Sequence, residues 1–233
     1  MLKIDLLNFD KARYERKFVI SEMSIHEVEQ VIKLNPKMFF EIFDERKVNN
    51  IYLDSTDMGD YYNNTNGNPQ RLKMRIRWYG ELFGLIEKPV LEIKIKNNEL
   101  GKKIHFPLKQ LVLDNNFSFE YLHKEILLKS KLPKWLIEEL KLRYPTLLDA
   151  YTRKYFCCID KTHRITLDSD LIFFKIKNRN NTFNEKMIDR KNIILELKYE
   201  KKDDKKTANI TKYFPFRLNK SSKYVTGLNL LNY

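Results

Sequence analysis

Arg71, Lys73, Arg75 and Arg77 stand at alternate positions of one stretch, with Leu72, Met74, Ile76 and Trp78 filling the gaps. Successive side chains of a strand point to opposite faces, so this spacing predicts one cationic face and one apolar face. Same-face neighbours lie roughly 6.5–7 Å apart. A row of bases at that spacing repels itself unless water or an anion compensates it. The pattern recurs along the chain. Glu92, Lys94 and Lys96 alternate with Leu91, Ile93 and Ile95; Glu196 and Lys198 alternate with Leu195, Leu197 and Tyr199; Arg13, Glu15 and Lys17 share a face near the N-terminus. Residues 151–155 and 163–168 add further bases in strand-like surroundings.

A concentration of Arg and Lys with a few carboxylates is what phosphoryl transfer needs. Its transition state spreads charge over phosphoryl oxygens, so catalysis is mostly positioning and electrostatic stabilisation. Arg offers a bidentate fork to phosphate, whereas Lys acts as a point charge. Magnesium or manganese is held by one or two carboxylates together with the substrate's own phosphate oxygens. Glu196 is the best ligand candidate, with an ion pair to Lys198 as the other reading. Glu92 beside Lys94 has the same two readings, and the ion pair is favoured there.

The elements that must position these residues are mixed. Charged strand faces that line the inside of one closed antiparallel barrel leave their apolar faces outward, to be covered by helices. That is an α+β fold with a polar, basic lumen. Strands are expected at 11–20, 51–54, 71–79, 89–96, 103–107, 151–159, 163–168, 170–177 and 192–199, with 71–79 and 89–96 forming a hairpin. Ser24 and Glu27 match a capping box that opens a helix at 24–34, and Asn35-Pro36 ends it. A short helical segment is expected at 56–63, capped by Ser55 or Thr56. The Asn- and Gly-rich residues 63–69 form a turn. Residues 108–149 carry helical apolar spacing at 109–113, 118–129 and 133–144, a helical insertion on the barrel exterior. Residues 178–189 read as a mobile loop and the charge run 200–206 as a solvated helix start or loop. With no repeat and no linker, residues 1–233 read as a single domain.

Composition narrows the partners. The 44 Lys and Arg against 31 Asp and Glu leave a formal charge of +13, which points to a polyanion: nucleic acid, an anionic membrane or phosphate-rich small molecules. Nucleic acid is the least favoured, because the bases alternate within strands rather than forming an exposed basic arm. There is no Gly-x-x-x-x-Gly-Lys-Ser/Thr loop, and six glycines leave little room for a dinucleotide fold. The four histidines lack zinc-ligand spacing. The adjacent Cys157 and Cys158 exclude a disulfide framework and point to a reducing compartment. No apolar run approaches the roughly 20 residues of a membrane helix, and the N-terminus does not read as a secretory signal. A cytoplasmic location follows as the expectation.

Tyr14-Glu-Arg-Lys-Phe18, Arg75-Ile-Arg-Trp-Tyr-Gly80, Leu91-Glu-Ile-Lys94, Lys103-Ile-His-Phe-Pro-Leu108, Tyr151-Thr-Arg153, Arg164-Ile-Thr-Leu-Asp168, Leu195-Glu-Leu-Lys198 and Ser222-Lys-Tyr224 follow one another in order. In this the chain resembles the VTC domain, the polyphosphate polymerase module of the vacuolar transporter chaperone complex. That family belongs to the triphosphate tunnel metalloenzymes, relatives of the CYTH phosphatases and cyclases. The resemblance runs from about residue 11 to residue 227. It implies an eight-stranded antiparallel tunnel in which the γ-phosphate of ATP passes to a growing polyphosphate chain, with Mn2+ or Mg2+ as cofactor.

By position, Lys17, Arg75, Arg77, Lys94, Lys103, Arg153 and Arg164 match tunnel-lining phosphate ligands, and Tyr151 a phosphate-contacting tyrosine. Glu196 matches the metal-binding glutamate, Ser222 and Lys223 a phosphate-contacting pair near the tunnel mouth. Lys198 joins the phosphate-binding set, and Arg75, Arg77, Lys17 and Lys223 are the implied catalytic group. One departure bears on activity. The wider superfamily opens with Glu-x-Glu-x-Lys, and here Arg13 replaces the first acid ahead of Glu15 and Lys17, which leans away from triphosphatase or cyclase chemistry. The SPX domain and membrane helices that accompany the module in fungal complexes are not seen in this sequence. The alternatives are a triphosphatase acting on inorganic or nucleoside triphosphate, and a non-catalytic polyphosphate or inositol-polyphosphate binding module.

Overall fold

A computed structural model describes residues 13–98 and 100–232. Its strands are β1 (Arg13–Ile20), β2 (Phe39–Asp54), β3 (Gln70–Tyr79), β4 (Gly84–Ile86), β5 (Val90–Asn97), β6 (Leu100–Pro107), β7 (Leu111–Leu113), β8 (Tyr144–Cys158), β9 (His163–Lys175), β10 (Lys186–Asp189) and β11 (Ile193–Glu200). The helices are α1 (Ile25–Lys33), α2 (Gly59–Thr65), α3 (Phe119–Tyr121, continued by a π-helical turn Leu122–Leu127), α4 (Lys134–Leu140), α5 (Asp204–Thr211) and α6 (Lys223–Leu230). Pairing runs β9–β11–β1–β6–β5–β3–β2–β8, and β8 pairs again with β9, so eight antiparallel strands form a ring. β10 adds to one edge of β9, and β4 pairs with β7 in a separate two-stranded sheet.

The alternating pattern orients the strands as expected. Leu72, Met74, Ile76 and Trp78 of β3 pack with Leu91, Ile93 and Ile95 of β5. Leu111 and Leu113 of β7, Leu122 and Ile126 of the π turn, and Leu136 and Leu140 of α4 cover them. On the other side of the ring, Phe18, Ile165, Leu167, Leu195 and Leu197 are covered by Val28 and Ile32 of α1 and Ile210 of α5. Burial of such faces, at roughly 1.5–3 kcal/mol per large apolar side chain, is what holds the helices on.

Several elements differ from the sequence reading. β2 begins at Phe39 rather than Ile51. Its first half lacks clean alternation because register shifts separate Glu41, Phe43 and Arg46 along β8. Residues 109–113 are not helical: Leu111–Leu113 is β7, whose outer residues Leu111 and Leu113 pack inward at the period of 2 of a strand. The segment 108–149 is therefore mixed rather than a helical insertion, and its last residues belong to β8. The loop expected at 178–189 contains β10, paired to Leu171–Phe174 of β9 through its backbone. The α2 cap also differs. Asp54, not Ser55 or Thr56, accepts the amides of Asp60 and Tyr61, while Ser55 accepts that of Gly59. The capping box of Ser24 and Glu27 is present on α1 as expected, and both cysteines are free.

β9 carries the decisive irregularity. Its pairing with β8 shifts between Ala150 and Thr152, where Asp170 adopts φ 52°. Asp tolerates this left-handed conformation better than most residues. One bulge exchanges the two faces of the strand. Thr166 and Asp168 lie on the polar side before it; Leu171 and Phe173 lie on that side after it and pack with Tyr224 and Leu228 of α6. The polar face of the ring is thus charged along most of its length and apolar where α6 crosses it. A Cβ at Gly227 would come within 2.5 Å of the Phe173 ring and 2.7 Å of Leu147, so only glycine lets α6 approach this closely.

Candidate functional site

Charged side chains of strands that are not neighbours meet on one face of the ring. Arg77 of β3 reaches across β2 to donate to the Tyr151 hydroxyl of β8 at 3.0 Å. Lys94 of β5 reaches across β6 to Glu15 of β1 at 2.9 Å. Arg153 of β8 lies 3.6 Å from Glu196 of β11, across β9. Only the concave face of a curved sheet brings such residues together.

One part of the face is charge-matched. Lys17 sits between Glu196 at 2.9 Å and Glu15 at 3.1 Å. Glu196 also holds Lys198 at 2.7 Å and accepts from the Thr166 hydroxyl. Asp168, fully buried, accepts a fork from Arg153 and a further bond from Lys223. Burial raises the pKa of each of these carboxyls, but the cations outweigh it and hold Glu15, Glu196 and Asp168 below the usual range. Burial lowers Lys17, and Glu196 with Glu15 more than reverses that.

Across the ring the balance is different. Glu92 accepts from Arg75 at 2.6 and 2.8 Å, with Arg77 at 3.4 Å and Lys103 at 4.0 Å, and the Tyr52 hydroxyl also accepts from Arg75 at 3.5 Å. Lys73 pairs with no carboxylate among the described residues and donates to the Ser222 hydroxyl at 2.7 Å. Burial, then the charges of Lys17, Lys94, Arg71 and Arg75, holds Lys73 well below the ordinary lysine value. Burial and the facing Arg75 do the same to Lys103 against the pull of Glu92. Lys94 is also lowered, by burial first, although Glu15 opposes it.

Arg77 is only 5% exposed and is fixed through its fork. Nε donates to Asn50 Oδ1 at 2.8 Å, and the Asn50 amide donates to Asp149 at 2.5 Å. The second oxygen of Asp149 is buried without a hydrogen-bond partner, and burial raises this carboxyl. Ser222 caps α6 by accepting from Val225, which sets Lys223 at the first helical position with its ammonium 4.5 Å from the centre of the Tyr151 ring.

Lys17, Arg75, Arg77, Lys94, Lys103, Tyr151, Arg153, Lys198, Ser222, Lys223 and Glu196 therefore share one face. Arg164, opposite Lys198 in register, is exposed at its end and makes no ion pair among the described residues. Sequence reasoning left out Lys73, Glu15 and Asp168 as site residues, though each stands in a quoted alternating row or motif. Asn50 and Asp149 carried no signal, because Asn50 lay outside the expected strand and Asp149 inside the expected insertion.

Among the described residues no group of three or more His, Cys, Asp or Glu could hold a metal by itself. The oxygen set nevertheless suits a hard divalent ion that keeps phosphate ligands. Glu15 Oε1 is buried without a hydrogen bond, although the Lys17 ammonium is 3.1 Å away, and Glu196 flanks the same ammonium. Glu196 and Glu15 are the residues that fit such an ion.

The fold has solved counterparts. A protein from Hippeastrum, named an adenylyl cyclase and credited with a dominant triphosphatase activity, superposes with a TM-score of 0.52 at 12% identity, covering 94% of this chain and 95% of its own. The PH1819 protein of Pyrococcus horikoshii OT3 gives 0.47 at 13% identity, covering 93% and 97%. A Vibrio parahaemolyticus protein named an adenylate cyclase gives 0.49 at 9% identity, covering 91% and 97%. No curated protein matches the sequence. No described helix is long and apolar enough to cross a membrane. The VTC domain profile matches residues 12–232, nearly the whole length, and the chain belongs to the VTC domain family.

Proposed function

We propose that residues 1–233 act as one tunnel domain, an ATP-dependent polyphosphate polymerase whose concave polar face holds the reacting phosphates. The observation that carries this reading is the uncompensated charge around Lys73, Lys103, Arg75 and Arg77. Like charges crowded on one face in this way, with Arg77 buried, Arg75 and Lys73 half-buried and Lys103 at the exposed edge, are costly in the free protein and are relieved by a polyanion. Family membership supports the same reading.

In the proposed reaction, a terminal oxygen of the polyphosphate chain attacks Pγ of ATP and the Pγ–O–Pβ bond breaks. ADP leaves with the bonding electrons and the chain grows by one phosphate. Arg75 and Arg77 supply forks to the transferring group, and Asn50 and Tyr151 keep the Arg77 fork in plane. Lys17 and Lys223 balance charge from the opposite wall, with Arg153 and Lys198 holding its carboxylates. Lys94, Lys103 and Ser222 bind the remaining phosphates; Arg164 meets phosphate at the outer end. A bound Mn2+ or Mg2+, held by Glu196, would neutralise charge on the phosphate oxygens.

The test is to incubate the purified protein with ATP and manganese and to follow polyphosphate, ADP and free phosphate together. Polymer with matching ADP is the expected result. Free phosphate without polymer makes the protein a triphosphatase, the activity credited to the Hippeastrum protein. Binding of polyphosphate with neither product makes it a binding module.

A further inference from the structure

Where the phosphate-binding residues end, an aromatic cluster begins. Tyr79 follows Arg77 on the same side of β3, and Tyr155 follows Arg153 on the same side of β8. β2 pairs with β3 only as far as Val48, opposite Tyr79. Its earlier residues pair with β8 and extend beyond β3 as a lip. The register shift between Phe43 and Arg46 turns both toward Tyr155. The Arg46 guanidinium then lies 4.8 Å from the Phe43 ring centre, 5.6 Å from Tyr155 and 5.9 Å from Tyr79. Phe43 meets Tyr155 edge-on at 5.7 Å. Arg46 has no ion pair among the described residues, and an open depression lined by Glu41, Ile42, Phe43, Asp44 and Arg46 adjoins it.

Phe43 and Tyr79 leave 51% and 53% of their surface in water. Large rings normally bury such area. At the opposite end of the same face, α6 fills the space between Leu147 and Phe173. Flat, half-exposed rings beside an arginine are the chemistry that stacks a nucleobase without reading its identity.

We infer that Phe43, Arg46, Tyr79 and Tyr155 form a stacking platform for the base of a nucleoside triphosphate whose phosphates lie against Arg77 and Arg153. This rests on the triphosphate reading of the polar face. It makes a prediction which that reading alone does not: the platform distinguishes a nucleotide from bare polyphosphate. ATP is thereby favoured as donor over the product chain, and the base is oriented outward at the lip.

Isothermal titration calorimetry with ATP and with inorganic tripolyphosphate, at one metal concentration, tests it. Phe43→Ala and Tyr79→Ala each weaken ATP about tenfold, within the range for losing one base–aromatic stack, and leave tripolyphosphate within twofold of wild type. Phe43→Tyr keeps wild-type affinity for both ligands. Unchanged ATP affinity in both alanine variants overturns the platform and leaves the polar face standing. An equal loss for both ligands overturns it too, because a distorted lip or fold moves them together. Failure of the wild-type protein to bind either ligand overturns the polar-face reading and the platform with it.

Discussion

The two walls of the polar face use the same residue types to opposite effect. On the wall built by β1, β8, β9 and β11, Lys17, Arg153, Lys198 and Lys223 are matched by Glu15, Glu196 and Asp168. On the wall built by β3, β5 and β6, Arg75, Arg77 and Lys103 share Glu92, Arg77 reaches Asp149 only through Asn50, and Lys73 has no carboxylate partner among the described residues. The first wall is close to neutral; the second keeps an unmet demand for negative charge. Net charge alone does not make an anion site. Surplus charge held where water is scarce does, because the effective dielectric there leaves Coulombic attraction strong.

The largest expected effect comes from breaking the surplus wall. Arg77→Ala lowers nucleotide turnover by at least about a hundredfold, the scale for losing one positioned transition-state donor. Arg77→Lys does not restore it, since a point charge cannot serve Asn50, Tyr151 and phosphate together. Steady-state kinetics with a folded variant decide this, and wild-type turnover would remove Arg77 from the proposed catalytic group. Arg75→Ala falls on the same scale and leaves Glu92 to the more distant Arg77 and Lys103.

Next comes the matched wall. Glu196→Gln takes the carboxylate from Lys198 and leaves Lys17 to Glu15 and Arg153 to Asp168, and breaking such a buried pair costs about 3–5 kcal/mol. Denaturant unfolding should register that loss, and added tripolyphosphate should recover part of it by binding the released cations. Metal titration of activity checks the other role. An unchanged metal dependence in this variant would show that Glu196 is not the ligand.

Lys73→Met sharpens the contrast in the opposite direction. Removing a half-buried cation that lacks a carboxylate partner stabilises the free protein by about 1 kcal/mol, while weakening tripolyphosphate roughly tenfold. A variant that lost stability and kept its affinity would mean that the Lys73–Ser222 bond is structural.

The smallest effect is in pH. Lys73 in the folded protein titrates below the 10.5 of the unfolded chain. Between those two values the unfolded state binds the proton that the folded state has lost, so stability of the free protein rises with pH there. A bound anion lifts the folded value, so binding takes up protons and weakens as pH rises through the same window. Calorimetry in buffers of different ionisation enthalpy measures that uptake. Proton release would contradict the assigned direction.

Much of this was legible along the chain. The strict alternation of Arg71 to Trp78 predicted β3 and both of its faces, and Ser24 with Glu27 predicted the start of α1. Short-range chemistry decides such features, so a local window contains them. β2 escaped because its bulged half breaks the period that marks a strand. β7 and β10 escaped because three or four residues hold their place through backbone pairing to a distant partner. Among the candidate site residues, the placement of Arg75, Arg77 and Lys94 on charged strand faces followed from spacing, whereas Asn50 and Asp149 enter only through the Arg77 fork that reaches them.

The sequence by itself determined which face of each strand is charged, because side-chain direction alternates with fixed period 2. It also set the excess of base over acid, which is a property of composition. Only the tertiary structure decided which cation meets which carboxylate, because strand pairing sets those contacts: Lys17 meets Glu196 from the far end of the chain, and Lys94 meets Glu15 across β6. Closure of β8 onto β9, with the bulge at Asp170, brings Arg153 to Asp168 and carries Leu171 and Phe173 under α6. That closure leaves Lys73 beside Ser222 with no acid among the described residues to neutralise it, and no local spacing encodes the absence of a distant partner.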